Sequence, residues 1–373
     1  MGALPEIVEV YPIRSLSFSR YWRMRSCFLA GVPKSCVKIR GDLQESSLSR
    51  QQIVGIILHR LLEQLKDLVE RSPDERYPAF KTTFYDLLEE FQDKVNDDPR
   101  IVHFGKLGNW NELGGIFDEF VSLLEEGTNS DDEVGRVLNP EVELNSSDGE
   151  LTGIADAILT TSKGDIIVEY KSGELFDTNG ELNEQYLSQL YFYSHLYSQE
   201  FDRAPVSLLL KGTGGQTVTI EVDQQRSEEL AGDARRVRTE FNNMIAEHTG
   251  IESLATPSAN ACNWCRRRPL CPAFAKSAPV IGAGQGAHVA WATFLEFSSE
   301  SADEVRALHL FIHQGTTGVK QEVVIGNFLS SRFADLRLVK NSGYLVINFH
   351  FDEAKISGSL TSSSEIYELG EEI

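Results

Sequence analysis

The chain has 373 residues, enough for two domains that each bury a core of their own. Its 41% apolar and 24% charged residues match an ordinary soluble protein, and no apolar run reaches the roughly 18 residues of a membrane span. A net charge of −21 speaks against gripping nucleic acid over the whole surface, and the opening Met1-Gly2-Ala3-Leu4-Pro5-Glu6 lacks the basic-then-apolar order of a secretory signal, so a cytoplasmic protein is expected.

The charge is unevenly spread. From Tyr11 to Arg40 there are seven basic residues (Arg14, Arg20, Arg23, Arg25, Lys34, Lys38, Arg40) and no acid. Such a run is either a solvated face or part of a phosphate-binding surface. Residues 47–70 then predict a strong helix, with apolar positions at Ile53, Ile57, Leu61, Leu65 and Leu68 and serines available as caps. Helical patterns follow over Thr83–Lys94 and Trp110–Glu126, and the polar stretch from Gly127 reads as a loop.

Beyond it the period changes to that of strands, at Val137–Leu144, Gly153–Thr160 and Asp165–Lys171. A helix is expected over Glu184–Ser198, strands over Val206–Lys211 and Thr217–Val222, and a helix over Ser227–His248. Asp156 lies on one of these strands, and Glu169 and Lys171 end the next. Strand residues two apart share a face, so Glu169 and Lys171 can share a pocket. Two carboxylates from neighbouring strands can hold Mg²⁺ or Mn²⁺, and a lysine beside them can position or deprotonate water and stabilise charge on a phosphate. The same triple also occurs on solvated hairpins, so it carries weight only with its context.

That context is a resemblance. Gly153-x-x-Asp156, Glu169-x-Lys171 and Gln189-x-x-x-Tyr193, preceded by Gly55-x-x-x-His59 on the first strong helix, resemble the RecB-like branch of the PD-(D/E)XK nucleases. The resemblance implies a restriction-endonuclease-like α/β core, a mixed sheet flanked by helices. It also implies metal held by His59, Asp156, Glu169 and the Tyr170 carbonyl, with Lys171 at the water and Gln189 and Tyr193 beside the metal and the DNA backbone. A lone histidine on an amphipathic helix is otherwise an ordinary core residue.

Five cysteines are too few for a disulfide scaffold. Cys262-x₂-Cys265-x₅-Cys271 brings three thiolates around one centre, which suits zinc or a [4Fe–4S] cluster equally by spacing. This pattern after the nuclease motifs is similar to the iron–sulfur staple of AddB-type and CRISPR-adaptation nucleases. There a Ser-x-Ser-Arg pattern leads to the distant fourth cysteine, and Ser17-x-Ser19-Arg20 leads here to Cys27. The resemblance thus implies Cys27 as the fourth ligand, with Cys36 the alternative because Phe28 stands where that family often has proline. A cluster of this kind would close a loop of more than 230 residues, and would bring Arg20, Arg23 and Arg25 together with Arg266, Arg267 and Arg268 as a basic surface for DNA.

Residues 275–287 read as an Ala/Gly-rich linker, dividing residues 1–276 from a small β-rich, OB-like domain over residues 286–373. Its strands are expected at His288–Phe297, Ala307–His313, Glu322–Ile325 and Tyr344–Phe351. Such a barrel suits single-stranded DNA, though its acidity suits protein docking nearly as well. The expected partner is DNA, as a single strand or a double-stranded end. With no Gly-x-x-x-x-Gly-Lys-Ser/Thr loop, unwinding would need a helicase or other ATPase partner. The alternative is a catalytically silent iron–sulfur DNA-binding subunit of a larger complex, which predicts a damaged carboxylate–lysine set.

Overall fold

A computed structural model describes residues 6–40, 50–69, 71–97, 137–212, 215–248, 250–263, 265–271, 273–274, 277, 288–299, 305–329, 338–352 and 354–370. The helix expected at Trp110–Glu126 and the loop after it lie outside these residues, as does nearly all of the 275–287 linker.

Near the start, strand β1 (Glu6–Val10) pairs antiparallel with β3 (Val37–Arg40). Between them run the two-residue strand β2 (Leu16–Ser17) and short helices α1 (Phe18–Met24) and α2 (Phe28–Gly31). Helix α3 (Arg50–Val69) carries the expected apolar stripe, with Ile53, Ile57, Leu61 and Leu68 buried. It packs with α4 (Pro73–Asp97), whose Phe80, Phe84 and Phe91 complete that layer. Helix α4 starts ten residues earlier than its pattern predicts. Pro78, a residue type that ordinarily disrupts a helix interior, is accommodated within it.

The central sheet holds β4 (Val137–Asn145), β5 (Leu151–Thr161), β6 (Gly164–Lys171), β7 (Ser207–Gly212) and β8 (Thr217–Ile220), with β2 added parallel to the start of β5. β5 is antiparallel to β4 and β6, and β6 is parallel to β7. The parallel β6–β7 step needs a crossover, supplied by helix α5 (Glu184–Phe201), whose Asn183 side chain caps it by accepting from the Gln185 N–H. Helix α6 (Gln224–Ala246) follows β8, capped by Asp223, and lies beside α5. One face of the sheet packs on α5, α6 and the N-terminal segment through Leu151, Ile158, Ile167, Leu208 and Leu210. The other packs on α3 and α4 through Ala157, Val168 and Tyr170. This is the mixed sheet flanked by helices that the motifs imply.

After α7 (Ala259–Asn263) come β9 (His288–Ser299), β10 (Val305–Gly315), β11 (Glu322–Leu329), β12 (Gly343–Asp352) and β13 (Ser357–Gly370). They close into a barrel in the order β10-β11-β13-β12-β9, with β11 and β13 parallel, an OB-like Greek-key arrangement filled by Phe294, Leu310, Ile325 and Phe349. The barrel docks on the rest of the molecule: Val289, Leu345, Ile347 and Tyr367 join the larger core. Among the described residues no helix is long and apolar enough to cross a membrane.

Candidate active site

The site lies where β5 and β6 part. Their ladder runs from Thr161↔Gly164 to Ala157↔Val168 and ends there, while Glu169, Tyr170 and Lys171 continue paired with β7. Asp156 occupies the fork. Its Oδ2 accepts the Tyr170 N–H at 2.7 Å, replacing the strand partner that this amide has lost. The side-chain faces also change across Asp156, since Ala155 packs toward α5 and Ala157 toward α3 and α4. A strict period-2 strand would not place them on opposite layers.

Asp156 is 1% exposed and Glu169 is fully buried. Lys171 Nζ lies 2.6 Å from Glu169 Oε1 and 2.8 Å from Gln189 Oε1. Gln189 Nε2 donates to the same Glu169 oxygen at 2.7 Å and reaches the Tyr193 hydroxyl at 2.9 Å. Gln189 and Tyr193, one helical turn apart on α5, therefore face one centre. Burial, and then the charge of Glu169, pushes the Asp156 carboxyl up to about 8. Burial works against the Lys171 ammonium, but Glu169 and Asp156 outweigh it and raise its pKa. Tyr193 is raised well above the usual phenol range by burial and by Glu169.

Helix α3 brings His59 to the other side of Asp156, its Nδ1 3.2 Å from Asp156 Oδ1 and 3.2 Å from Glu141 Oε1. Burial disfavours the imidazolium, but the Glu141 hydrogen bond and the Asp156 charge raise it to about 9. Glycine is not sterically demanded at position 55, where an added Cβ would only touch Ser172 Oγ at 3.9 Å. At Gly153 it is demanded: a Cβ there would lie 2.6 Å from Tyr193 Cε1. Glu141 escapes a motif reading. The one hint along the chain is Pro140 before it, which signals an interrupted strand.

These residues fit a divalent cation. His59, Glu141 and Asp156 offer three ligand atoms all within 4.8 Å of one another. Glu169 Oε2 is buried with no hydrogen-bond partner, although its other oxygen is fully engaged. Carboxylate oxygens with one imidazole suit Mg²⁺ or Mn²⁺.

A family model described as the PD-(D/E)XK nuclease superfamily matches residues 15–272. The chain belongs to this superfamily. The match spans the mixed sheet, its helices and the cysteine-rich segment, and stops before the barrel. Comparison with curated proteins yields no match. As a PD-(D/E)XK protein the chain has the fold of nucleases that use divalent metals and act on DNA, and the carboxylate–lysine set occupies the fork of its sheet.

The cysteines of this PD-(D/E)XK fold separate into two groups. Burial raises the Cys262 thiol to about 12 and the Cys271 thiol to about 11, and Cys265 is raised too. In each case neighbouring cysteines add to the effect, Cys27 among them. Backbone N–H groups of Thr256 and Phe274 point at the sulfurs of Cys27 and Cys271, at 3.4 Å each. Cys36 turns instead toward the Pro12 carbonyl at 3.7 Å.

The basic knot corrects an expectation. Arg267 and Arg268 are 6% and 7% exposed, so neither belongs to an open DNA surface. Arg267 donates to the carbonyls of Leu29, at 2.6 Å, and Val32, while Arg268 pairs with Glu365 of the barrel at 3.0 Å. Both guanidiniums satisfy buried acceptors, a structural use that charge along the chain does not distinguish from phosphate binding.

Proposed function

We propose that this protein is a divalent-metal-dependent deoxyribonuclease of the RecB-like type, with a [4Fe–4S] cluster on Cys27, Cys262, Cys265 and Cys271. The observation that carries the nuclease reading is the fork at Asp156. Two buried carboxylates, a lysine and a glutamine converge there, with Glu169 Oε2 left without a partner. His59, Asp156, Glu169 and the Tyr170 carbonyl would hold Mg²⁺ or Mn²⁺. When bound, such a cation supplies Lewis acidity to a phosphate oxygen and makes water easier to deprotonate.

The rest of the chemistry belongs to the chain's own side chains. Lys171, held against Glu169 and Gln189, positions or deprotonates the attacking water in this reading and stabilises negative charge developing on the phosphate. Gln189 locks both Lys171 and Glu169, so the pair is pre-positioned before substrate arrives. Gln189 and Tyr193 also face the DNA backbone in this reading.

The cluster reading rests on the Cys262-x₂-Cys265-x₅-Cys271 spacing with Cys27 upstream, and is supported by the N–H groups of Thr256 and Phe274 aimed at the sulfurs of Cys27 and Cys271. The fitting roles are DNA repair and recombination or antiphage defence, in the cytoplasm, with a helicase or other ATPase separating strands. Residues 1–276 would form the catalytic domain, and the barrel over 286–373 a module for single-stranded DNA or a partner.

The test uses end-labelled single- and double-stranded DNA with Mg²⁺ or Mn²⁺. We expect cleavage by the wild type and a loss of at least about a hundredfold in Asp156→Ala and Lys171→Ala. A wild-type protein that cuts neither substrate with either metal sinks the nuclease reading. Iron content with visible absorbance, lost in Cys27→Ser and kept in Cys36→Ser, tests the cluster separately.

A further inference from the structure

We propose that Glu141 is an additional metal-holding side chain, which with His59 and Asp156 forms a subsite selective for manganese-class divalent ions over Mg²⁺. The inference rests on the metal-dependent reading above and adds a residue and a selectivity that the four motifs do not contain.

The backbone provides the first observation. β4 and β5 pair at Pro140↔Ala157 and again at Val142↔Ala155, with no change of register between them. The intervening residues, Glu141 and Asp156, are the one pair missing from this stretch. Glu141 has φ +50, a left-handed conformation for a residue with a side chain, inside a strand. That conformation is strained for a residue with a Cβ, and such strain persists only where the surroundings impose it. The opened ladder lets the carboxylates of Glu141 and Asp156 incline toward the same imidazole.

Chemistry provides the second. The three ligand atoms come from three different elements, α3, β4 and β5, yet all lie within 4.8 Å. Beside them Glu169, fully buried, keeps one oxygen without any hydrogen-bond partner. Three carboxylates thus converge around Asp156, while Lys171 is already committed to Glu169 and Gln189. A divalent cation bound among them would take the place of the proton on His59 and face all three carboxylates. Purely oxygen-lined sites suit Mg²⁺ and Ca²⁺, and an imidazole among the ligands moves preference toward later divalent ions.

The experiment measures Mn²⁺ and Mg²⁺ binding to the full chain by calorimetry, with thermal unfolding in chelator alongside. Wild type, Glu141→Gln, Glu141→Gly and Asp156→Asn are compared. We expect wild type to bind Mn²⁺ more tightly than Mg²⁺, and both Glu141 variants to lose roughly tenfold or more in Mn²⁺ affinity. Glycine adopts φ +50 without strain, so Glu141→Gly should unfold in chelator no earlier than wild type, which separates ligand loss from misfolding. Unchanged Mn²⁺ affinity in both Glu141 variants, with binding lost in Asp156→Asn, overturns this proposal and leaves the nuclease reading standing. Lost cleavage with intact Mn²⁺ affinity in Glu141→Gln also overturns it, because Glu141 would then only position His59. A wild type that binds neither ion overturns both.

Discussion

Asp156 and His59 each hold a proton more tightly in the folded chain than outside it, and the consequence for stability has a definite sign. Asp156 moves from an ordinary 3.8 to about 8, chiefly by burial and then Glu169. His59 moves from 6.5 to about 9 because Glu141 and Asp156 outweigh its burial. For a raised group the stabilisation is complete below the unfolded pKa and is lost as pH rises through the folded one. Metal-free protein should therefore melt at progressively lower temperature as pH rises from about 4 toward 9. Asp156→Asn should flatten that slope, and melting curves in chelator across this range check it. A slope unchanged by Asp156→Asn would refute the assignment. Strand period put Glu169 and Lys171 on one face, while the resemblance to the RecB-like motifs, not spacing, brought Asp156, Gln189 and Tyr193 to the same centre. Glu141 was not readable in the same way. Its role depends on a backbone angle and a missing strand pair, neither of which leaves a periodic trace.

At the level of elements, the link between β5 and α5 is steric. Gly153 lies against the ring of Tyr193, so the glycine of one motif and the tyrosine of another are one packing decision. Gly153→Ala should destabilise the fold by about 1–3 kcal/mol, the usual effect of overpacking a filled core. Adding Tyr193→Ala should recover part of that loss, whereas Tyr193→Phe, which keeps the ring, should recover none. Denaturant unfolding of the three variants decides this, and additive effects of Gly153→Ala and Tyr193→Ala would contradict it. The strands and helices around this contact were visible from periodicity, as were most barrel strands. What periodicity missed were the short pieces β1, β2 and β3, whose pairing partners are distant or brief, and the long barrel strand β13, whose serine-rich start carries no apolar alternation. It also set the start of α4 late, at Thr83 rather than Pro73, although the helix runs on through Pro78. The closure of five strands into a barrel depends on the β9–β10 and β9–β12 pairings, which no local pattern encodes.

Across the whole molecule, the segment from Cys262 to Cys271 joins three parts. Arg267 holds the α2 region by the carbonyls of Leu29 and Val32, and Arg268 holds the barrel by Glu365, which also accepts from Tyr367. Removing one member of a buried pair strands the other, so Arg268→Met should cost about 3 kcal/mol and loosen the barrel. Limited proteolysis should then separate the barrel from the rest of the chain at lower protease concentration. An unchanged cleavage pattern would show that the apolar contacts of Val289, Ile347 and Tyr367 suffice. The acidic total also looks different at this scale, since two arginines that seemed available for phosphate are spent inside.

The same convergence sets a timetable for biosynthesis. β2 finds its strand partner only at Leu151, and the hydroxyl of Tyr21 bonds to Asp233 at 2.7 Å. The Leu29 and Val32 carbonyls wait for Arg267. Beyond the local β1–β3 pairing, a ribosome must therefore deliver Leu151 before β2 is paired and Arg267 before the Leu29 and Val32 carbonyls are satisfied. Any metal centre that includes Cys27 is filled late, once Cys271 has emerged, and the nascent N-terminal segment needs shielding until then.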